Sequence, residues 1–325
     1  MNYMEFASDL PLHQTIKFKS VEENEETMQR WDVTQEMWQI GTGKFQSDLI
    51  VRTTPQADLY ADRFSKAVSM HLEPQKDTVG ILFPRSASGK FVVCGQNAGN
   101  EKIVIIPYGS GIDLTIPDLA GSEAMTIPID RFNTMTEVLA PTYVRPEEFT
   151  MIGGNQARLH HLRKAIIDLV SNPEVEVNDE QLSNLLAATI VWMTDCPGNN
   201  TQQSGDKHTN RARMHIAKLV QEYIEVHYND AICMEDLCRV TGVGLRTLQR
   251  YFKEYFDFSI AEHIKTTRLK NAHRELTKAH SSERTVTHIA LQNGFNHLGR
   301  FSVEFYKRFG QSPRDALAMQ AGRKT

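Results

Sequence analysis

Met234 to Phe256, MEDLCRVTGVGLRTLQRYFKEYF, reads as two short helices joined by a tight turn. In the first half Leu237 and Cys238 fall on one side, followed by Val240 and Thr241, while Glu235, Asp236 and Arg239 fall on the other, as an amphipathic helix requires. Gly242 ends that helix, because glycine adopts a positive φ without a Cβ clash. In the second half Leu248, Phe252 and Tyr255 or Phe256 form an apolar stripe, leaving Arg246, Thr247, Gln249, Arg250 and Lys253 outside. The layout is that of a helix-turn-helix unit with a basic outer face.

The design occurs twice. Thr285 to Gly310, TVTHIALQNGFNHLGRFSVEFYKRFG, matches Leu237, Cys238 and Gly242 with Ile289, Ala290 and Gly294 at a shift of 52. Past the turn the shift becomes 53, pairing Leu248 with Phe301, Phe252 with Phe305, Phe256 with Phe309 and Ser259 with Ser312. An offset that changes only inside the turn marks an internal repeat whose second turn is one residue longer. Between the units Ile264, Arg268, Leu269, Ala272 and Leu276 mark one stripe of a long connecting helix.

Ile289-Ala290, Gly294-Phe295, Phe301, Phe305, Phe309-Gly310 and Ser312-Pro313, with Arg268-Leu269, Ala272 and Leu276 upstream, resemble the AraC/XylS family of bacterial transcription regulators. The run Gly294-Phe295-Asn296-His297-Leu298-Gly299-Arg300-Phe301 looks closest to the XylS-type branch, which includes the ethanolamine-operon regulator. The resemblance covers about residues 211–320 strongly and the remainder only in architecture. Cys238, Gly244, Asp257 and Ile260 depart from the family pattern, standing where Ala, a capping Ser, Gly and Pro are usual.

Forty per cent hydrophobic and 23% charged residues in 325 are ordinary for a soluble protein of two domains. No stretch approaches a membrane span, and the N-terminus lacks the basic and apolar regions of a secretory signal. Cys94, Cys196, Cys233 and Cys238 form no CxxC pair, which fits a reduced, cytoplasmic setting. The net charge of −4 is divided unevenly. Residues 211–325 hold 19 Lys and Arg against 12 Asp and Glu, and residues 1–210 hold 17 against 28. The basic half carries both helix-turn-helix units, and positive charge is what attracts a polyphosphate. The acidic half should avoid DNA.

Residues 1–30, with Glu22, Glu23, Glu25 and Glu26 close together, read as a solvated lead-in with no chemistry. From Trp31 to Arg131 seven short, often β-branched runs follow: Lys44 to Arg52, Leu59 to Leu72, Thr78 to Phe83, Lys90 to Gly95, Lys102 to Tyr108, Gly111 to Ile116 and Glu123 to Ile129. Separated by Gly, Pro, Asn and Asp, they suggest an antiparallel barrel or sandwich. The family resemblance implies a cupin-like sensor barrel there. His13 and His71 are the only histidines before residue 159 and form no HxH pair, so a three-histidine metal site cannot be assembled and neither metal nor cofactor is expected. His71 reads as an ordinary strand residue. Trp38, Tyr60, Phe64, Phe83, Phe91 and Tyr108 are effector-pocket candidates by residue type, although aromatics dominate ordinary cores as well.

From Asn155 the period is helical. Leu159, Leu162, Ile166 and Leu169 are spaced 3, 4, 3, and Leu182, Leu185, Leu186, Ile190 and Met193 repeat the theme after Asn172-Pro173. Two readings follow: a helical pair packed on its own barrel, or a homodimer seam, since 3-4-3 is also coiled-coil spacing. The resemblance places dimerisation on such helices. His160-His161 reads as a solvated pair. Residues 196–208, rich in Gly, Asn, Gln and Ser, read as a linker, so residues 1–195 form an effector-binding and dimerisation domain and 209–325 a DNA-binding domain.

The expected fold is thus α+β, an N-terminal cupin-like β-barrel with two helices and a C-terminal all-α domain with two helix-turn-helix units. The expected function is a DNA-binding regulator gated by a small-molecule effector. By position in the family motif, Arg246, Gln249 and Arg250 match base-facing sites of the first reading helix and Arg300 and Val303 those of the second, with His297 at its cap; Thr247 and Lys253 share the outer face. Arginine to guanine and glutamine to adenine are the bidentate pairings that base edges permit. The resemblance further implies double-stranded DNA, RNA polymerase and a second copy of the chain as partners, favours activation, and implies no enzyme activity. The contrasting reading is a metal-dependent cupin oxidoreductase with a fused helical domain, against which the missing histidine set stands.

Overall fold

The computed structural model describes residues 13–31, 33–172, 177–195, 207–278 and 284–318. Strand β1 (His13–Phe18) leads into helix α1 (Val21–Arg30), followed by β2 (Thr34–Gln39), β3 (Ser47–Thr53), β4 (Asp58–Phe64), β5 (Val68–Glu73) and β6 (Thr78–Ser86). Then come β7 (Val92–Val93), β8 (Gln96–Asn97), β9 (Lys102–Pro107), β10 (Ile112–Ile116), β11 (Ala120–Pro128), α2 (Ile129–Leu139), β12 (Thr150–Gly153), α3 (Gln156–Ser171) and α4 (Asp179–Asp195). The rest is helical: α5 (Lys207–His227), α6 (Met234–Thr241), α7 (Leu245–Phe256), α8 (Ile260–Lys278), α9 (Val286–Gln292), α10 (Leu298–Phe309) and α11 (Pro313–Ala318). The linker expected at 196–208 lies outside the described residues as far as 206.

Among the described residues the strands form two sheets, seven strands in the order β1-β3-β4-β11-β6-β9-β12 and five in the order β2-β5-β10-β7-β8. This corrects the expectation of a closed barrel, because no ladder joins the edge of one sheet to the edge of the other. Strand alternation explains how one seven-stranded sheet serves two cores. Leu59, Ile81, Phe83, Ile105, Met125 and Ile127 turn outward against α2, α3 and α4. Phe64, Leu82, Val104 and Ile106 turn inward, meeting Met37, Val68, Met70, Ile112, Leu114 and Ile116 from the five-stranded sheet.

The apolar stripe of α3 is spent within the chain. Leu159, Leu162 and Ile166 are buried in the outward core with Leu182, Leu186 and Ile190 of α4, and Leu169 packs at its margin. The seam expected there for a second copy is therefore occupied from inside, and burial of the stripe follows from the sheet needing cover on its outer face. His160 and His161 lie exposed on the opposite side of the helix.

The start of the chain departs from a solvated lead-in. His13 to Phe18 pair antiparallel with Arg52 to Ser47. Helix α1 begins at Ser20, whose side chain accepts from Glu23 N at 3.2 Å, with Glu22 and Glu23 in the first turn where the helix dipole favours negative charge.

Candidate nucleic-acid interface

The two helix-turn-helix units are built alike. In the first, Leu248, Phe252, Tyr255 and Phe256 of α7 are buried against Ile216, Ala217, Val220 and Ile224 of α5 and Leu237 of α6. In the second, Phe301, Phe305 and Phe309 of α10 are buried against Leu269, Ala272 and Leu276 of α8 and Ile289 and Ala290 of α9. These large apolar residues at i, i+4, i+8 fix the rotation of each reading helix about its axis, so the polar residues between them face out.

Arg268, midway along α8, holds the units together. Its guanidinium donates to Tyr228 O at 2.6 Å, Asp230 O at 2.7 Å and Gly294 O at 3.2 Å, spanning from the end of α5 to the turn of the second unit. Gly294 has φ +76°, and a Cβ there would lie 3.0 Å from that guanidinium. The turn residue is thus required twice over, by its backbone conformation and by the close approach of Arg268.

Arg246, Gln249, Arg250 and Lys253 are exposed on α7, and Thr247 is half-buried. The Arg250 guanidinium carbon lies 5.2 Å from the Tyr251 ring centroid, a contact that orients it without burying it. On α10 Arg300 is exposed and Val303 is 66% exposed, with His297 exposed at the N-cap and making no side-chain cap bond. Leu298 and Tyr306 share that outer surface, Tyr306 at 61% exposure. Neither was among the expected contact residues; the three-residue step from Val303 to Tyr306 was the available signal for Tyr306.

The departures from the family pattern have local consequences. Gly244 caps α7 without offering a side chain, so the first-turn amides of this reading helix are left for another acceptor. Asp257 takes the left-handed C-cap conformation at φ 64°, where the second unit uses Gly310 at φ 67°.

The C-terminal ends of both reading helices are docked on the N-terminal region. Thr115 Oγ1 of β10 donates to Phe256 O at 2.8 Å. Gln39 Nε2 of β2 donates to Arg308 O at 2.6 Å, the Arg308 guanidinium donates to Gln39 O at 2.6 Å, and Gly43 N donates to Lys307 O at 2.8 Å. Carbonyls that a helix end leaves without intrahelical partners are thereby satisfied by the other half of the chain. Beside them Asp113, 4% exposed, accepts from Tyr255 OH at 2.7 Å, lies 2.8 Å from His71 Nδ1 and stands 3.4 Å from Lys218 Nζ. Burial alone would raise the Asp113 carboxyl, but His71, Lys218 and Tyr255 hold it below the ordinary value and it stays ionised. His71 is accordingly a member of this polar node.

A second contact set comes from α1. Glu25 meets Lys270 at 2.6 Å, Glu22 meets His273 at 3.1 Å and Glu26 meets Lys278 at 2.9 Å. Burial pushes Glu22 up, yet the hydrogen bond and charge of His273 outweigh it and hold its carboxyl at about 2. The acidic run is a clamp on α8. Lys270, Arg274 and Lys278 recur every four residues along one face of α8, and that basic stripe was the signal in the sequence for an acidic partner.

The six aromatic pocket candidates separate. Tyr60 and Phe64 line an interior cavity of about 100 Å³ between the sheets, together with Met70, Leu114, Asp62 and Ser122. Phe83 faces the helices in the outward core, Phe91 is buried in the inward core away from the cavity wall, and Tyr108 is 45% exposed. Trp38 lies at the contact between the halves, 5.6 Å from the His263 ring and under Lys270 Nζ at 4.6 Å. Among the described residues no three His, Cys, Asp or Glu side chains converge as a metal-binding group, and no helix is long and apolar enough to cross a membrane.

Comparison with known proteins places these helices in context. A family described as helix-turn-helix domain matches residues 237–319. The probable thc operon regulatory protein of Rhodococcus erythropolis is 31% identical over 119 residues, 34% of this chain and 36% of that protein, so the chain spans about a third of that relative. The HTH-type transcriptional activator RhaS of Escherichia fergusonii is 25% identical over 280 residues, 77% of this chain and 96% of its own length. Among solved structures, a probable AraC family transcriptional regulator from Rhodopseudomonas palustris is 31% identical, with a TM-score of 0.31, covering 32% of this chain and 96% of that one.

Proposed function

The chain belongs to the AraC/XylS family of transcription regulators and carries its helix-turn-helix DNA-binding domain, and from that premise we propose that it is an activator whose DNA reading is set by a small molecule held between its two sheets. The observation that carries this reading is the double duty of β10. Leu114 and Ile116 line the interior cavity, and the alternate residues Asp113 and Thr115 bond Tyr255 and Phe256 at the end of α7. A ligand that shifts this strand acts on a reading helix one strand thickness away, and differential affinity for two arrangements is all that coupling requires.

In this account Arg246, Gln249, Arg250, Arg300 and Val303 meet base edges, with Val303 suited to a thymine methyl, while Lys253, Thr247 and His297 hold the backbone. Leu298 and Tyr306 extend the second surface. Among the described residues Arg246, Gln249, Arg250, Arg300 and Val303 are exposed, so control works by aiming the helices rather than by covering them. Activation is favoured by the RhaS relative, which is called a transcriptional activator. An activator must reach RNA polymerase, and a homodimer, if formed, uses a surface other than the buried α3 stripe.

A thermal-shift screen of metabolites on the full chain identifies the effector, because a ligand bound only by the folded state raises stability by mass action. That compound should change the affinity for operator DNA by about 5–150-fold. An effector that binds the cavity and leaves DNA affinity unchanged would refute gating.

A further inference from the structure

The wall of the interior cavity has a distinctive charge pattern. Among the described residues that line it there is no lysine, arginine or histidine, and one carboxyl group, Asp62 of β4. That carboxyl is held in place by the residue opposite it in the ladder, Ser122 of β11. Ser122 N donates to Asp62 Oδ1 at 2.7 Å and the Ser122 hydroxyl donates to Asp62 Oδ2 at 2.8 Å. Each carboxylate oxygen keeps a lone pair for a further donor after these bonds. Arg85, the cation beyond the sheet, is 2.9 Å from Glu123, and both lie on the outward face.

From this geometry we infer that the cavity takes a small organic cation, an alkylamine whose ammonium donates to the Asp62 carboxylate while its carbons lie against Met70, Leu114 and Ile116. The inference rests on the reading of this cavity as the effector site. A half-buried carboxyl group on a wall that carries no cation is costly to ionise, and an ammonium supplies the counter-charge. Carboxylate and phosphate effectors meet the opposite situation, a like charge and no cation to receive them. Burial pushes Asp62 up to about 7 even though the Ser122 bonds and Arg85 pull it down and Glu123 adds to the rise. The carboxyl therefore stands ready near neutrality to take either a proton or a cation. Size limits the ligand too: at about 30 Å³ per water, the space accepts on the order of three to five non-hydrogen atoms.

The test uses the full chain and three isosteres at equal concentration near neutral pH: n-butylammonium, 1-butanol and butyrate. Thermal shift and calorimetry should show n-butylammonium stabilising the protein and binding about tenfold or more tighter than 1-butanol, with butyrate inert. Asp62→Asn, which keeps an acceptor for Ser122 N, should fold and lose the preference for the amine. If 1-butanol binds as tightly as n-butylammonium, or if butyrate binds at all, the cation assignment fails while the cavity remains a ligand site. If none of the three binds, both the assignment and the effector reading of this cavity fail. Retention of the amine preference in Asp62→Asn would equally overturn the proposal.

Discussion

The Tyr255 phenol donates to Asp113 at 2.7 Å, and this one bond joins the last turn of a reading helix to a strand whose other face lines the interior cavity. Asp113 also holds His71 and Lys218, so it receives groups from both halves of the chain. Tyr255→Phe removes the donor and leaves the ring. Hydrogen bonds to charged groups contribute about 1.5–3 kcal/mol, and a loss of that order in unfolding free energy is expected by denaturant titration. An unchanged midpoint would mean that water replaces the phenol at no cost.

Acid should loosen the clamp formed by α1. The Glu22 carboxyl sits at about 2 in the folded chain, below its ordinary 4.5, so its contribution is present above pH 4.5 and is lost as pH falls from there toward 2. Glu22→Gln should remove that part of the acid dependence, leaving a flatter stability curve between pH 4.5 and 2.5. Identical curves for the two proteins would show that the Glu22 and His273 pair carries no net linkage.

Asp62 works with the opposite sign. Its folded value of about 7 lies above the ordinary 3.8, so the stability it contributes is full below pH 3.8 and is lost as pH rises through 7. Asp62→Asn should therefore raise the melting temperature at pH 8 and change it little at pH 4. A lower melting temperature at pH 8 would indicate that the charged form is the stabilised one.

The stripe on α3 makes a clear forecast about assembly. Leu162 and Ile166 lie in the core of the single chain, so Leu162→Asp with Ile166→Asp should abolish folding rather than release a folded monomer. Circular dichroism with light scattering separates these outcomes. A folded monomer from a dimeric parent would restore the seam to an intermolecular role.

Much of this arrangement was legible in the chain. The repeat with its offset changing from 52 to 53 located both reading helices, since their aromatics recur at helical spacing and the charged residues fall between them. The runs Lys102 to Tyr108 and Gly111 to Ile116 fell on β9 and β10. Strand partners were not legible, because a period of two says which residues share a face and nothing about which edge pairs with which. The runs therefore left a barrel or a sandwich open, and it was the family resemblance that implied a barrel where two sheets stand. Trp38 and Glu22 were misplaced for a related reason: an aromatic or an acidic residue at a contact between distant segments looks locally like core or solvent-facing surface. Asp62 went unnoticed because a single Asp in a strand carries no pattern, and only its register with Ser122 sets it apart.

Arg250 and Lys253 should behave differently although both are exposed cations on α7. Arg250→Ala should lose discrimination at one or two base pairs, about 1–3 kcal/mol for a bidentate contact, whereas Lys253→Ala should weaken all sequences alike. Uniform weakening by Arg250→Ala would reassign it to the phosphate backbone.

The central claim, that α7 and α10 read one duplex together, is tested most directly by selecting binding sites for the full chain from random double-stranded DNA. Two conserved segments about 10–10.5 base pairs apart, centre to centre, are expected, because helices fixed to one rigid frame enter successive major grooves on one face. Arg300→Ala should erase preference in one segment and Arg250→Ala in the other. A single conserved segment sensitive to only one of these substitutions, or no enrichment at all, would contradict the account.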